Sequence, residues 1–562
     1  MSPLPPCTPS VSVATLQSLR DELRGNTIRN VNGLFAKNFE SWSAVVQSKL
    51  QDTQSAEIIS KLSARVPDII ARVDSLSEWL AQFQTLFFAA DQASLRFQSQ
   101  PLGNTGGTSG AAISLETSDV QSIAGSTRVF GELHHENTPL ADDDDDILRF
   151  CEHARQVMKT QSARCFLHGF LVRGTTLELW VFDRSGAYSS EMLDLVQRPD
   201  LLVRILAGYV SMSNEEAGFN TFVKHHPPGS NSYVTFRQRD TFYPRPEPIA
   251  TADYIVGLGT TCYAASVSTV GEPDTVIKFS WREDEEPTEV RLLERAQERN
   301  AWGVVQLVGY QDLVSIANLR QGLQFPQTFV NRTFSCVATT PLGRPIRQYT
   351  SITELLEVLR DLVRALQSLY VDARILHRDV AIKNLIITPQ HSADGPKGVL
   401  IDFNYALDLD NARPVEPMVG SDGFMAIGIL LGQRHTYRHD LESLFYVFLW
   451  IAIANDRERD DANDVLEGMP KTSRLWKWCT MDFGAVRRDK AADMSPEGFE
   501  GILGEFCSDF APLRGLAREL HALIFPVRDG EVFTGTETDQ VDVEKLYDGM
   551  ADAFDRSATG FS

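Results

Sequence analysis

The chain is short of several things, and each shortage narrows what it can be. Its seven cysteines, at positions 7, 151, 165, 262, 336, 479 and 507, include no C-x-x-C pair. Neither a disulfide framework nor a zinc site of that spacing is expected, and reduced thiols suit an intracellular protein, cytoplasmic or nuclear. Positive charge is scarce: 53 Lys and Arg against 75 Asp and Glu leave a formal net charge of -22. Broad binding to nucleic acid or to an anionic membrane needs a basic face, so neither is an expected partner. Long apolar runs are missing too. The longest, residues 444–454, is too short to cross a bilayer. Residues 1–10 are proline-rich without the charged-then-apolar order of a signal peptide. With 562 residues, 43% of them hydrophobic, the chain can build two or three domains, each with its own core.

Periodicity supplies the organisation. Leu16, Leu19 and Leu23, then Ile58, Ile59, Leu62 and Val66, then Leu76, Leu80 and Phe83 fall at helical spacing, predicting a helical N-terminal region over residues 1–100. Such a region packs on its own chain or takes a protein partner. Residues 101–112 are Gly/Ser/Thr-rich and read as a flexible linker. Residues 113–225 read as an α/β accessory region, with a strand at 129–133, a helix at 147–161 and a hairpin of 165–172 with 177–182 turning at Gly174. The acidic run 142–146 reads as a solvated loop. Glu132-Leu133-His134 sits where some nuclease folds carry a Glu-x-Lys metal motif. The lysine is absent and no convincing acid precedes it, so a structural platform is expected there. Residues 531–562 form an acidic tail, expected to fray outside a helix near 543–554.

The most informative stretch is His377-Arg378-Asp379-Val380-Ala381-Ile382-Lys383-Asn384. Asp379 and Asn384, five residues apart, can serve as base and metal ligand from one short loop. Eighteen residues past Asn384 comes Asp402-Phe403-Asn404, a second acid if a hairpin brings the chain back. The pattern predicts that hairpin. Leu385-Ile386-Ile387-Thr388 and Val399-Leu400-Ile401 are strand-like, and residues 389–398 between them are rich in turn formers. Asn384 and Asp402 then end at one mouth, and two oxygen ligands suit Mg²⁺ beside the oxygens of a nucleotide phosphate. A plain surface hairpin with incidental acids is the alternative, disfavoured by the spacing.

Upstream, Tyr254-Ile255-Val256 reads as a strand leading into Gly257-Leu258-Gly259-Thr260-Thr261-Cys262, with a second strand over 264–269 and a third at 275–279. Glycines between strands let the backbone fold close over phosphates and offer them N–H groups. Lys278 on the third strand is placed to reach the same phosphates. Eleven residues on, Glu289 opens a helix and can pair with Lys278, though Glu285, Glu286 and Glu294 are near enough to replace it.

Together these blocks resemble a eukaryotic protein kinase, and more narrowly the fungal-type protein kinase family. The narrower resemblance rests on Gly420-Ser421-Asp422-Gly423-Phe424-Met425-Ala426 and His439-Asp440-Leu441-Glu442-Ser443-Leu444-Phe445-Tyr446. Val129-Phe130-Gly131-Glu132-Leu133 and Trp180-Val181-Phe182-Asp183-Arg184-Ser185-Gly186-Ala187 add to it, and it covers roughly residues 125 to 455. It implies an α+β, bilobal fold: a β-rich small lobe over 245–340 and a helical large lobe over 341–530, preceded by the accessory and N-terminal regions. The hinge falls near 336–342, and 444–454 becomes the buried central helix of the large lobe. ATP and Mg²⁺ are the implied cofactors and a protein the implied substrate. Asp379 then orients or accepts the substrate hydroxyl proton, Asn384 and Asp402 hold Mg²⁺, Lys278 cradles the α/β-phosphates with Glu289 holding it, and Gly257 and Gly259 cover the phosphates. His377 and Arg378 are scaffold.

Departures from the family pattern bear on activity. The cation follows Asp379 by four residues, at Lys383, where most serine/threonine kinases carry it two residues on and this chain has Ala381. Lys383 stabilises the transferring phosphate or is a surface lysine. The third loop glycine is Cys262, and the Gly of Asp-Phe-Gly is Asn404, the next-best residue for positive φ. The Ala-Pro-Glu that ends the activation segment is Ala426-Ile427-Gly428, so the anchoring acid is missing. No metal ligand or base is lost, and the expectation is an active protein kinase with relaxed regulation. The alternative is a pseudokinase scaffold that binds nucleotide or partners without transfer; a small-molecule phosphotransferase ranks below both, because 420–426 reads as the end of a peptide platform.

Overall fold

The computed structural model describes residues 13–40, 51–71, 75–88, 95–102, 110–117, 127–134, 143–225, 232–237, 240–283, 289–389, 395–411, 418–454, 468–480, 482–528 and 531–560. The chain divides into two compact units. One takes Met1–Pro273, Ile277–Glu286 and Gly309–Val337; the other takes Asp274–Val276, Pro287–Val308 and Ala338–Ser562.

The first unit is built on an eight-stranded sheet. Strands Gly110–Thr117, Thr127–His134, Phe166–Arg173 and Thr176–Asp183 form its middle, antiparallel except where Thr127–His134 runs parallel to Phe166–Arg173 across the helix Asp143–Thr160. Both faces are covered. Val129, Leu133, Leu179 and Val181 face one core with Trp79, Phe83 and Leu206, while Phe130, Trp180 and Phe182 face another with Phe150, Leu19 and Leu23. Alternate residues thus point to opposite sides, as the pleat requires. The helices Thr53–Ala64 and Leu76–Phe87 pack into the first of these cores.

Three sequence expectations are corrected here. The helical N-terminal region is no separate body, since its helices supply layers on the accessory sheet. The expected linker contributes strand ends instead: Leu95–Pro101 pairs antiparallel with Gly110–Thr117, Pro101 opposite Ala111. Within the expected linker Ala111 and Ala112 are buried at the start of their strand; residues 103–109 lie outside the described residues. The acidic run, expected as a loop, is helical from Asp143 on, at the start of the helix Asp143–Thr160, and residue 142 lies outside the described residues.

A seven-stranded sheet carries the glycine turn. The strand before the glycines is Thr241–Thr251, not the expected 254–256, and it pairs antiparallel with Thr261–Ser266. Its register shifts between Pro244 and Pro248 and again between Pro248 and Ala250, because proline cannot donate to a ladder.

The second unit is mainly helical. Ser351 caps the helix Ile352–Val371 by accepting from Glu354 N, while the Glu354 carboxylate accepts from Thr350 N, a reciprocal cap. Every residue of the helix Tyr437–Ala454 is buried. The helix expected near 543–554 is present and longer, running Gln540–Gly560, so fraying is corrected only at its two ends; it buries Val543, Tyr547, Met550 and Phe554 in the same core as Leu362 and Leu366. Arg360 donates to Asp555 at 2.8 Å, fixing its far end. Asp542, Glu544, Asp548 and Asp552 lie on the outer face of this amphipathic helix.

Candidate active site

The loop from His377 to Asn384 hangs from a buried carboxylate. Asp440, in the first turn of the central helix, accepts from the backbone N–H of His377 at 2.9 Å and of Arg378 at 3.0 Å, and bonds the His435 ring at 2.8 Å. Burial alone raises the Asp440 carboxyl; His435 and His377 outweigh it and hold it below the usual carboxylate range. His377 bonds the Ile401 carbonyl through Nε2 at 3.0 Å. Arg378 takes a positive φ of 66°, a backbone cost that the two bonds to Asp440 offset. Both residues therefore act as scaffold.

Asp379 is the centre of the loop. It is buried, and Asn384 Nδ2 donates at 2.8 Å both to its backbone carbonyl and to Oδ2. Ser421 Oγ donates to Oδ1 at 2.6 Å, and Lys383 Nζ stands 3.6 Å from Oδ2 with its side chain about half exposed. The expected hairpin forms, with Leu385 opposite Leu400 and Ile387 opposite Gly398. Ile401 N donates to the Asn384 carbonyl at 3.0 Å, so Asp402 follows directly on the residue bonded to Asn384. Asp402 has φ 66°, and Asn404 N donates to its carboxylate at 3.4 Å. The left-handed residue of this turn is thus Asp402, not Asn404. Asn is not needed there for its φ tolerance, and the missing glycine costs nothing on that account.

Glu289 opens the helix Glu289–Glu298 as expected and accepts from Phe403 N at 3.2 Å, which ties that helix to the turn carrying Asp402. Lys278 lies buried on the strand Thr275–Glu283. Gly257, Gly259 and Lys278 belong to the first unit, and Glu289, Asp379, Lys383, Asn384 and Asp402 to the second. Gly257 and Gly259 have φ of 132° and 53°, as a turn that only glycine tolerates well requires. The Gly257 N–H donates to the Arg184 carbonyl at 3.0 Å, however, so this amide is already engaged.

Asn384 and Asp402 are residues whose chemistry could hold Mg²⁺. Because Asn384 Nδ2 faces Asp379, its Oδ1 is turned the other way, and an amide oxygen beside a carboxylate is hard-cation chemistry.

Two features escaped the sequence. The segment ending at 426–428 does not lack an anchor. Ile427 N donates to Glu442 at 2.7 Å, and Glu442 is held by Arg438 at 2.8 Å and by the Tyr446 hydroxyl at 2.7 Å. Lys490, fully buried on the helix Phe483–Asp493, donates to the carbonyls of Gly423 at 2.8 Å and Met425 at 2.7 Å. Its ammonium lies 4.1 Å from the Tyr446 ring centre and 4.9 Å from that of Trp478. Burial pushes it down to about 7 against the pull of Glu442, Cys479 and Asp422. No spacing rule links 490 to 425. The second feature is Ser421, legible only as a loop serine until the fold places it on Asp379.

In the accessory sheet, the Glu132 carboxylate bonds His134 at 2.9 Å and His153 at 3.3 Å. Burial raises it, but these two rings outweigh burial and hold it at about 2. No group of three or more His, Cys, Asp or Glu placed to hold a metal occurs among the described residues.

A β-rich portion carrying a glycine turn, and a helical portion carrying an Asp–Asn loop beside an Asp-Phe turn, define an α+β protein-kinase-like chain. Residues 112–452 match the family described as fungal protein kinase, and the chain belongs to that family. Among solved structures, one titled as the structure of vaccinia related kinase 3 is 13% identical, with 61% of this chain and 94% of that chain covered and a TM-score of 0.35. No helix among the described residues is long and apolar enough to cross a membrane.

Proposed function

We propose that this protein transfers the γ-phosphoryl group of Mg·ATP to a protein hydroxyl. The observation that carries the reading is the state of Asp379: a buried carboxylate with Asn384 on one oxygen and an alcohol, Ser421 Oγ, donating to the other at 2.6 Å. That alcohol makes the bond a substrate hydroxyl must make before attack. The substrate oxygen then bonds to the γ-phosphorus as the bridge to the β-phosphate breaks, and its proton passes to Asp379. Phosphoryl transfer asks for positioning more than for a strong base, and a carboxylate held at both oxygens is positioned.

Asn384 Oδ1 and Asp402 are the residues to hold Mg²⁺, which supplies neutralisation of phosphate charge. Lys383, half exposed and 3.6 Å from Asp379, suits contact with the charge developing on the transferred group. Lys278 for the α/β-phosphates, Glu289 as its holder, and Gly257 and Gly259 over the phosphates are assignments from the family motif.

One observation favours the second reading, a nucleotide-binding scaffold without transfer: the Gly257 N–H is already bonded to Arg184. Incubating the purified protein with γ-labelled Mg·ATP separates the two. Wild type is expected to incorporate phosphate and Asp379→Ala to lose about a hundredfold or more of the rate. Equal incorporation by both overturns the role of Asp379, and a wild type that binds nucleotide but transfers nothing is the scaffold.

A further inference from the structure

The glycine turn of the first unit is bonded at residues 254–257 to parts of the chain far upstream. Glu22, half-buried near the end of the helix Val13–Leu23, accepts through one oxygen, Oε1, from the backbone N–H of Ile255 at 2.5 Å and of Val256 at 2.8 Å. Leu19 and Leu23 of that helix share a core with Ile255, so the carboxylate is delivered by packing. Arg184 Nη1 donates to the Tyr254 carbonyl at 2.5 Å, and the Arg184 carbonyl accepts from Gly257 at 3.0 Å. Leu258 closes the turn by accepting from Trp281 N at 2.7 Å.

Gly259 fits the same arrangement. A Cβ at this position would stand 2.4 Å from Arg184 Nε, a buried atom with no hydrogen-bond partner. The absence of a side chain at 259 is therefore required by the guanidinium, besides the positive φ. Arg184 is fully buried and makes its bonds to carbonyls, while the neighbouring carboxylate of Asp183 pairs with Arg320. A cation so placed adds positive potential beneath the turn.

We propose that Glu22 and Arg184 are positioning residues for nucleotide: the N-terminal helix and the accessory sheet hold residues 254–259 in the shape they present to Mg·ATP. The inference rests on the nucleotide-binding reading above and adds to it a dependence on a carboxylate 233 residues before Ile255. Both N–H groups share one acceptor oxygen, which makes a sharp prediction. Glu22→Gln keeps an acceptor in place, whereas Glu22→Ala leaves two N–H groups without theirs.

The test measures Mg·ATP affinity by calorimetry in wild type, Glu22→Ala and Glu22→Gln, with hydrogen exchange at residues 255–257 in each without nucleotide. Glu22→Ala is expected to lose exchange protection at 255 and 256 and to bind Mg·ATP about tenfold more weakly. Glu22→Gln should stay within about threefold of wild type. Wild-type affinity in Glu22→Ala overturns the inference, as does equal weakening in both variants, which would mean that the helix matters and the acceptor does not. A wild type that binds no Mg·ATP removes the nucleotide reading itself; protected amides at 255 and 256 in that protein would mark the clasp as purely structural.

Discussion

At the scale of single residues, the account turns on carboxylates that leave water only because donors meet them. Asp379 and Asp440 lie almost fully buried, and each has donors on both oxygens. Asp440→Ala leaves the amides of His377 and Arg378 unpaired inside the second unit, at a cost of about 3–5 kcal/mol. Denaturant unfolding followed by tryptophan fluorescence should show it; a change below about 1 kcal/mol would mean that water or relaxation replaces the carboxylate. The placement of Asp379 and Asn384 on one loop, and the hairpin that returns the chain to Asp402, were legible because both depend on short local spacings. Ser421 and Lys490 were not, because their partners are set by tertiary placement. The positive φ at Asp402 was assigned two residues late, to Asn404, by reasoning from side-chain tolerance without the hairpin's own geometry.

Elements divide by what a local pattern can encode. The Leu385–Ile387 and Gly398–Leu400 hairpin was legible in its two β-branched runs and intervening turn formers. The strand Thr241–Thr251 was hidden by prolines, which mark it as irregular while its pairing tolerates them through shifts. The helix Gln540–Gly560 was legible over 543–554, while its two ends were not. The helix Phe483–Asp493 has the role least visible in sequence, since its Lys490 holds the backbone at Gly423 and Met425. Because burial lowers this amine to about 7, a pH dependence follows. Below pH 7 it is charged in folded and unfolded chains alike, and the stability difference between wild type and Lys490→Met is flat. Between 7 and the unfolded value near 10.4, the unfolded chain binds the proton that the folded chain has released. Wild-type stability should therefore rise relative to Lys490→Met, by up to about 1.4 kcal/mol per pH unit. Unfolding midpoints of both proteins at pH 6, 7, 8 and 9 test this, and a difference unchanged from 7 to 9 would show an amine that stays charged.

Over the whole molecule, the expected α+β kinase-like character was legible and its partition was not. Compositional boundaries at 101–112 and 531 suggested a separate N-terminal region and a loose tail, yet both segments bury apolar residues that the windows around them dilute. The β-rich segment 245–340 divides between the two units instead of standing alone. The proposed function requires oxygen ligands at Asn384 and Asp402 to serve a nucleotide bound with its metal. The most direct measurement is the thermal midpoint with ATP, with and without Mg²⁺, for wild type and Asp402→Ala. ATP should stabilise wild type more strongly when Mg²⁺ is present, and Asp402→Ala should lose that metal-dependent increment alone. An ATP shift indifferent to Mg²⁺ in wild type, or an increment kept in full by Asp402→Ala, would contradict the account.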